Sequence, residues 1–159
     1  MTGLRAATPD DIPLLDSLSP NGAEYFQRCF EAGHDVVIAV ADGVDCGCAV
    51  LNYQPVYSLF RALDYPEIQD VAVAPAYRQR GIASALVRHC EDKARAAGHG
   101  GVGISVAVSR DFGPAQRLYI KLGYMPDGYG VTHAREPADA LKAYAPDALC
   151  LMLVKEFAA

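Results

Sequence analysis

Two hydrophobic periods alternate along the chain, and each marks a different kind of element. Val36-Val37-Ile38-Ala39-Val40 is an apolar run too short for a buried helix. It is closed by the turn residues Asp42-Gly43 and predicts a buried strand with a hairpin partner over 46–53. Glu67-Ile68-Gln69-Asp70-Val71-Ala72-Val73 predicts another strand, stopped at Pro75. Val102, Ile104, Val106 and Val108 alternate with small residues at the period-two spacing of a strand. Between these last two, Ile82, Leu86, Val87, Cys90, Ala94 and Ala97 recur every three or four positions, and Gly98 follows. That stripe predicts the strongest helix in the chain, over 81–97, with its C-terminal glycine in place.

The flanking segments are read the same way. Leu4-Arg5-Ala6-Ala7 predicts a short first strand. Thr8-Pro9-Asp10-Asp11 then has the hydroxyl, proline and acids of a helix start, followed by a stripe of Ile12, Leu14, Leu15 and Leu18. A second helix is expected over 23–32, a loop with one helical turn over 54–64, and a helix opened by Pro114 and closed by Gly123. Residues 124–132 predict a strand, 134–146 a loop or weak helix, and 149–154 a last apolar strand. The order β-α-α-β-β-β-α-β-α-β-β implies an α/β chain, a mixed sheet with helices on its faces, as one domain over 1–159.

Composition narrows the function classes. Hydrophobic residues make up 52% of the 159 positions, which excludes a disordered chain and supports a sizeable core. No apolar run approaches a membrane span, and the N-terminus shows no secretory signal pattern, so a cytoplasmic location is expected. A net charge of −5 argues against generic nucleic-acid binding and is compatible with a cationic substrate such as an amine. The cysteines at 29, 46, 48, 90 and 150 read as reduced structural thiols, with Cys46 and Cys48 on one face of a strand. No second Cys/His pair completes a zinc site, so no metal is expected.

Two phosphate-binding strings are tested first. Gly98-His99-Gly100-Gly101-Val102-Gly103 matches G-x-G-x-x-G, but it follows a helix and precedes a strand, the reverse of a dinucleotide site. No G-x-x-x-x-G-K-[ST] loop occurs. The segment Arg78-Gln79-Arg80-Gly81-Ile82-Ala83-Ser84 has the right context: a strand leads through a turn into the N-terminus of the strongest helix. Backbone N–H groups are free there, the helix dipole favours an anion, and Gly81 and Ala83 let phosphate oxygens approach the main chain.

At these residues the sequence resembles the GNAT superfamily of N-acetyltransferases. Arg78-Gln79-Arg80-Gly81-Ile82-Ala83 fits that family's [RQ]-x-x-G-x-[GA] coenzyme A loop. Ala115-Gln116-Arg117-Leu118-Tyr119-Ile120-Lys121-Leu122-Gly123-Tyr124 fits its A-x-x-L-Y-x-K-x-G-[FY] element. The resemblance implies acetyl-CoA as co-substrate and a cleft for pantetheine where the strand before the loop splays from the next. By matching positions, Val71, Ala72 and Val73 would lie along the pantetheine arm. The amides of Gln79 to Ser84, with Arg78 and Arg80 at the rim, would hold the diphosphate. An N–H near Val71 would serve the oxyanion.

Acyl transfer to an amine also needs a proton acceptor for the ammonium and a donor for the departing thiolate. Tyr119 faces inward with the apolar stripe and, by the resemblance, lies near the coenzyme A sulfur; it is the acid candidate. Glu67, at the start of the strand, is the base candidate, with Asp70 the alternative and a water relay open to either. Where many relatives have an asparagine, this chain has Phe112, which removes one side-chain contact to pantetheine. The loop with Tyr53, Tyr57 and Tyr65 and the segment 134–146 are expected to meet the acceptor, a small-molecule or protein amine. None of His34, His89, His99 and His133 pairs as in a triad. Dimerisation through 149–154 and a sensor that binds acyl-CoA without turnover are the further expectations.

Overall fold

The computed structural model describes residues 2–159. Eight strands form one mixed sheet: β1 (Thr2–Ala6), β2 (Asp35–Ala41), β3 (Val44–Asn52), β4 (Glu67–Val73), β5 (Gly101–Ala107), β6 (Met125–His133), β7 (Glu136–Pro137) and β8 (Leu149–Glu156). Their order is β1-β2-β3-β4-β5-β8-β6-β7. All neighbours are antiparallel except β4 and β5, which the helix α4 (Ile82–Ala96) connects in parallel.

Each face of the sheet buries its own cluster. On one side α1 (Ile12–Leu18) and α2 (Ala23–Glu31) place Leu15, Phe26 and Cys29 against Val36, Ile38, Cys48 and Val50. On the other, α4 and α5 (Gly113–Lys121) place Leu86, Val87, Cys90 and Tyr119 against Val37, Leu51, Ile68, Val102, Ile104 and Val106. A short helix, α3 (Ser58–Leu63), packs Phe60 with Tyr57 and Met152. It covers the first side over β5, because Phe60 meets Gly103 while the alternate residues Val102 and Ile104 belong to the α4 side.

The G-x-G-x-x-G string finds its explanation here. Gly98 ends α4 with φ +90°, and side chains at Gly101 and Gly103 would collide with the rings of Tyr65 and Phe60. Its glycines close a helix and admit two aromatic rings; they do not cradle phosphate.

Two expectations are corrected. Cys46 and Cys48 lie on opposite faces, because the β2–β3 register shifts between Ala39 and Val40. A bulge of one residue reverses the alternation there. The segment 149–154, expected to lie at a free edge where a second copy could pair, belongs to β8 inside the sheet: β5 and β6 flank it, and the edges are β1 and β7. The segment 54–64 is, as expected, a loop with one short helix, α3, and 134–146 is mostly loop, interrupted by the two-residue strand β7. Among the described residues no helix is long and apolar enough to cross a membrane.

Candidate active site

The parallel pair β4–β5 is paired for only two positions, Glu67 with Gly103 and Ile68 with Ile104. On its other side β4 stays paired to β3 as far as Val73 opposite Gly47. The strands therefore fork after Ile68. Residues 69–73 are half-buried although they sit in the middle of an eight-stranded sheet. The β3–β4 register also shifts here, and Asp70 takes φ +55°. A left-handed aspartate costs about 1–2 kcal/mol, a strain of the kind held at functional positions. Beyond it, Val71 and Val73 pack against the α4 cluster.

From the fork the chain runs straight into the candidate phosphate loop. After the turn Pro75–Tyr77, Arg78, Gln79, Arg80 and Gly81 are exposed. Gln79 and Gly81 take φ +61° and +78°. Gly81 caps α4, and no side chain bonds to the helix start, so the first-turn amides stay open to an external acceptor. A Cβ added at Gly81 meets no atom within 4 Å, so the surface above this turn is clear. Buried Ile82 anchors the helix below it, and Ala83 and Ser84 are half-buried. Arg80 bonds Asp42 of the β2–β3 turn at 2.8 Å and lies 5.3 Å over the Tyr77 ring. Arg78 folds back, its Nε donating to the Val73 carbonyl at 3.2 Å.

On the α1–α2 side, polar groups gather where the strands part. Glu67 is 0% exposed. Its Oε1 accepts from Arg135 at 3.0 Å and its Oε2 from Gln69 at 2.8 Å. Burial pushes the Glu67 carboxyl above its ordinary range, while Arg135, Gln69 and Ser105 pull it back. Tyr25 of α2 donates to Gln69 at 3.2 Å. Asp70 accepts on Oδ1 from Ser19 at 2.7 Å and Asn21 at 2.8 Å, both in the α1–α2 connection. Its Oδ2 is buried with no partner, and burial raises its pKa too.

Tyr119 lies on the opposite face, in the α4 cluster against which Val71 and Val73 pack, with its ring edge-on to Tyr124. Burial pushes its hydroxyl up to about 12, so it stays protonated at any working pH. The predicted acid and bases thus approach the fork from opposite sides of the sheet.

Other candidates are not brought to the fork. Tyr53 and Tyr65 line a groove of about 420 Å³ with Pro55, Phe60 and Arg61, beside the N-terminal end of β4. Tyr57 instead donates to Asp127. His133 stacks on Tyr144 and His99 bonds the Asp64 carbonyl. Sequence reasoning missed Arg135, Ser19, Asn21 and Tyr25. Only the ordering of 134–146 as an acceptor segment pointed near one of them.

The comparisons with known proteins agree with this fold. A GNAT acetyltransferase from Desulfovibrio desulfuricans superposes with a TM-score of 0.73 at 18% identity, covering 98% of this chain and 99% of its own. IAA acetyltransferase from Bacillus cereus gives 0.74 at 17% identity, over 99% and 100%. A GNAT acetyltransferase from Elizabethkingia anophelis, solved with acetyl-CoA bound, gives 0.69 at 19% identity, over 98% of each chain. No curated protein matches by sequence. The sequence profile of the acetyltransferase (GNAT) family matches residues 7–124, from the turn before α1 through the second motif, and the chain belongs to that family.

Proposed function

We propose that the chain transfers the acetyl group of acetyl-CoA to a primary amine by direct attack in a ternary complex. The observation that carries this reading is the fork. It leads from the uncapped start of α4, suited to a diphosphate, to a cluster of carboxylates suited to an ammonium. In this reading the amides of residues 79–84 and the side chain of Arg80 hold the diphosphate. Val71, Ala72 and Val73 guide the pantetheine, which requires Arg78 to release the Val73 carbonyl. A main-chain N–H near Val71, set by the bulge at Asp70, receives the developing oxyanion.

The acceptor ammonium enters from the α1–α2 side, where the free Oδ2 of Asp70 can dock it. Glu67 takes its proton, directly or through a water. Its raised pKa suits this, since a base works best near the operating pH. Tyr119 donates a hydrogen bond to the departing sulfur. Full transfer from a hydroxyl near 12 to a thiol near 8.5 runs uphill, so Tyr119 stabilises charge more than it delivers a proton. Tyr119→Phe is therefore expected to lower kcat by about tenfold to a hundredfold, the worth of one hydrogen bond to a charged group. Thiol release from acetyl-CoA measures it.

The reading is tested by thermal shift and by thiol release with ethylamine, spermidine, an alanyl peptide and a lysyl peptide. Acetyl-CoA should raise the melting temperature. Gly81→Ala should weaken acetyl-CoA binding at least tenfold, because its Cβ points into the space kept for phosphate. Its fold should lose only about 1 kcal/mol, the strain of a left-handed alanine. Unchanged affinity in Gly81→Ala would remove the phosphate from this turn. A second reading, binding without turnover, draws on the engagement of both Glu67 oxygens. Acetyl-CoA binding with no thiol release for any amine supports it instead.

A further inference from the structure

Arg135 reaches the fork from an unusual place. It is the second residue of the β6–β7 turn, and both turn residues, Ala134 and Arg135, are left-handed at φ +49° and +62°. A two-residue turn with both positions left-handed ordinarily uses asparagine or glycine. Here two residues with side chains hold it, at about 1–2 kcal/mol each. Such strain persists only where the surroundings over-determine it. What the turn gains is a guanidinium, itself 31% exposed, bonded at 3.0 Å to a carboxylate that is wholly buried.

From this geometry, and resting on the assignment of Glu67 as the base, we infer that Arg135 is a positioning residue that keeps the buried Glu67 carboxylate charged and aimed at the acceptor. The groups that face Glu67 are few. Arg135 comes from the turn, Cys150 from β8 and Tyr25 from α2, with Gln69 and Ser105 beside it on the forked strands. Arg135 is the sole cation among them. Desolvation favours the neutral acid, and the opposite charge of Arg135 pulls the carboxyl back toward its charged form. Without Arg135 the carboxyl would move further toward the neutral acid, the form that cannot accept a proton.

The test measures Glu67 itself and then catalysis. In protein labelled with ¹³C at glutamate δ-carbons, the resonance absent from Glu67→Gln identifies Glu67. In Arg135→Gln that resonance should titrate at least one unit higher than in the wild type. With the fastest amine of the panel, the ratio of variant to wild-type kcat/KM should be at most one tenth at pH 7 and climb as pH rises. Arg135→Lys should recover most of the activity. Arg135→Gly separates tuning from folding: it relaxes the strained turn, so its melting temperature should hold or rise while its pH profile moves like that of Arg135→Gln. An unmoved Glu67 resonance, or a ratio flat from pH 6 to 9, overturns the inference and leaves the proposed function standing. Full activity in Glu67→Gln instead removes the assignment of the base, and this inference with it.

Discussion

Replacing Glu67 by glutamine is expected to lower kcat/KM for amine acetylation by about 10²–10⁴-fold, with acetyl-CoA affinity unchanged. Glutamine keeps the shape of the side chain, and its one amide oxygen can still accept from Arg135, while its NH2 faces Gln69, whose side-chain amide must turn to accept it. Glutamine cannot take a proton. The effect on stability runs the other way. The folded state raises the pKa of Glu67, so it binds that proton more tightly than the unfolded chain. The stability this gives is present at low pH and is lost as pH rises through the ordinary carboxylate range to the folded value. At neutral pH the variant is spared that loss, and its melting temperature should equal or exceed the wild type. A fall in activity together with a fall in melting temperature would point to a structural role for Glu67. Full activity would move the base to Asp70, whose free Oδ2 makes it the next group to test by Asp70→Asn.

What the chain shows before folding and what it hides divide along a physical line. The strand 67–73 is bounded by its own residues and by Pro75, and β4 has those limits. The helix after Gly81 follows from a local apolar stripe, so α4 and the open turn before it were legible together. The residues that bond Glu67 and Asp70 were not. Arg135 contacts Glu67 across 68 positions, from a segment without hydrophobic period, and nothing local marks it. Ser19 and Asn21 look like a helix break, which they are, but their side chains also hold Asp70 some fifty residues away. The opposite faces of Cys46 and Cys48 depend on a register shift, which exists only once β2 and β3 pair. Alternation along one strand cannot reveal it. The strand that carries Glu67 and Asp70 was therefore readable, while the side chains that bond them were set by tertiary contacts.

The largest loss of stability is expected from Phe60→Ala, about 3–5 kcal/mol. Phe60 is wholly buried beneath α3, edge-on to Tyr57, and fills the space that Gly103 leaves on β5. Removing the ring opens a cavity that α3, only six residues long, cannot close by shifting as a rigid body. For a chain of this size the melting temperature should fall by roughly 6–20 °C. The reciprocal change gives the sharper test. Gly103→Ala in the wild type drives a methyl group into the Phe60 ring and should cost about 1–3 kcal/mol. In the Phe60→Ala background the same methyl enters the vacated space, so its cost should vanish or change sign, a coupling of at least about 1 kcal/mol. Gly103 also pairs with Glu67, one rung before the last that β4 and β5 share, so overpacking at this point should displace Glu67 as well. Gly103→Ala is thus expected to lose acetyl transfer beyond what its melting temperature accounts for, and the double variant to recover part of it. Strictly additive stabilities would mean that the ring and the glycine do not share one space. The fork would then owe its position to the bulge at Asp70 alone.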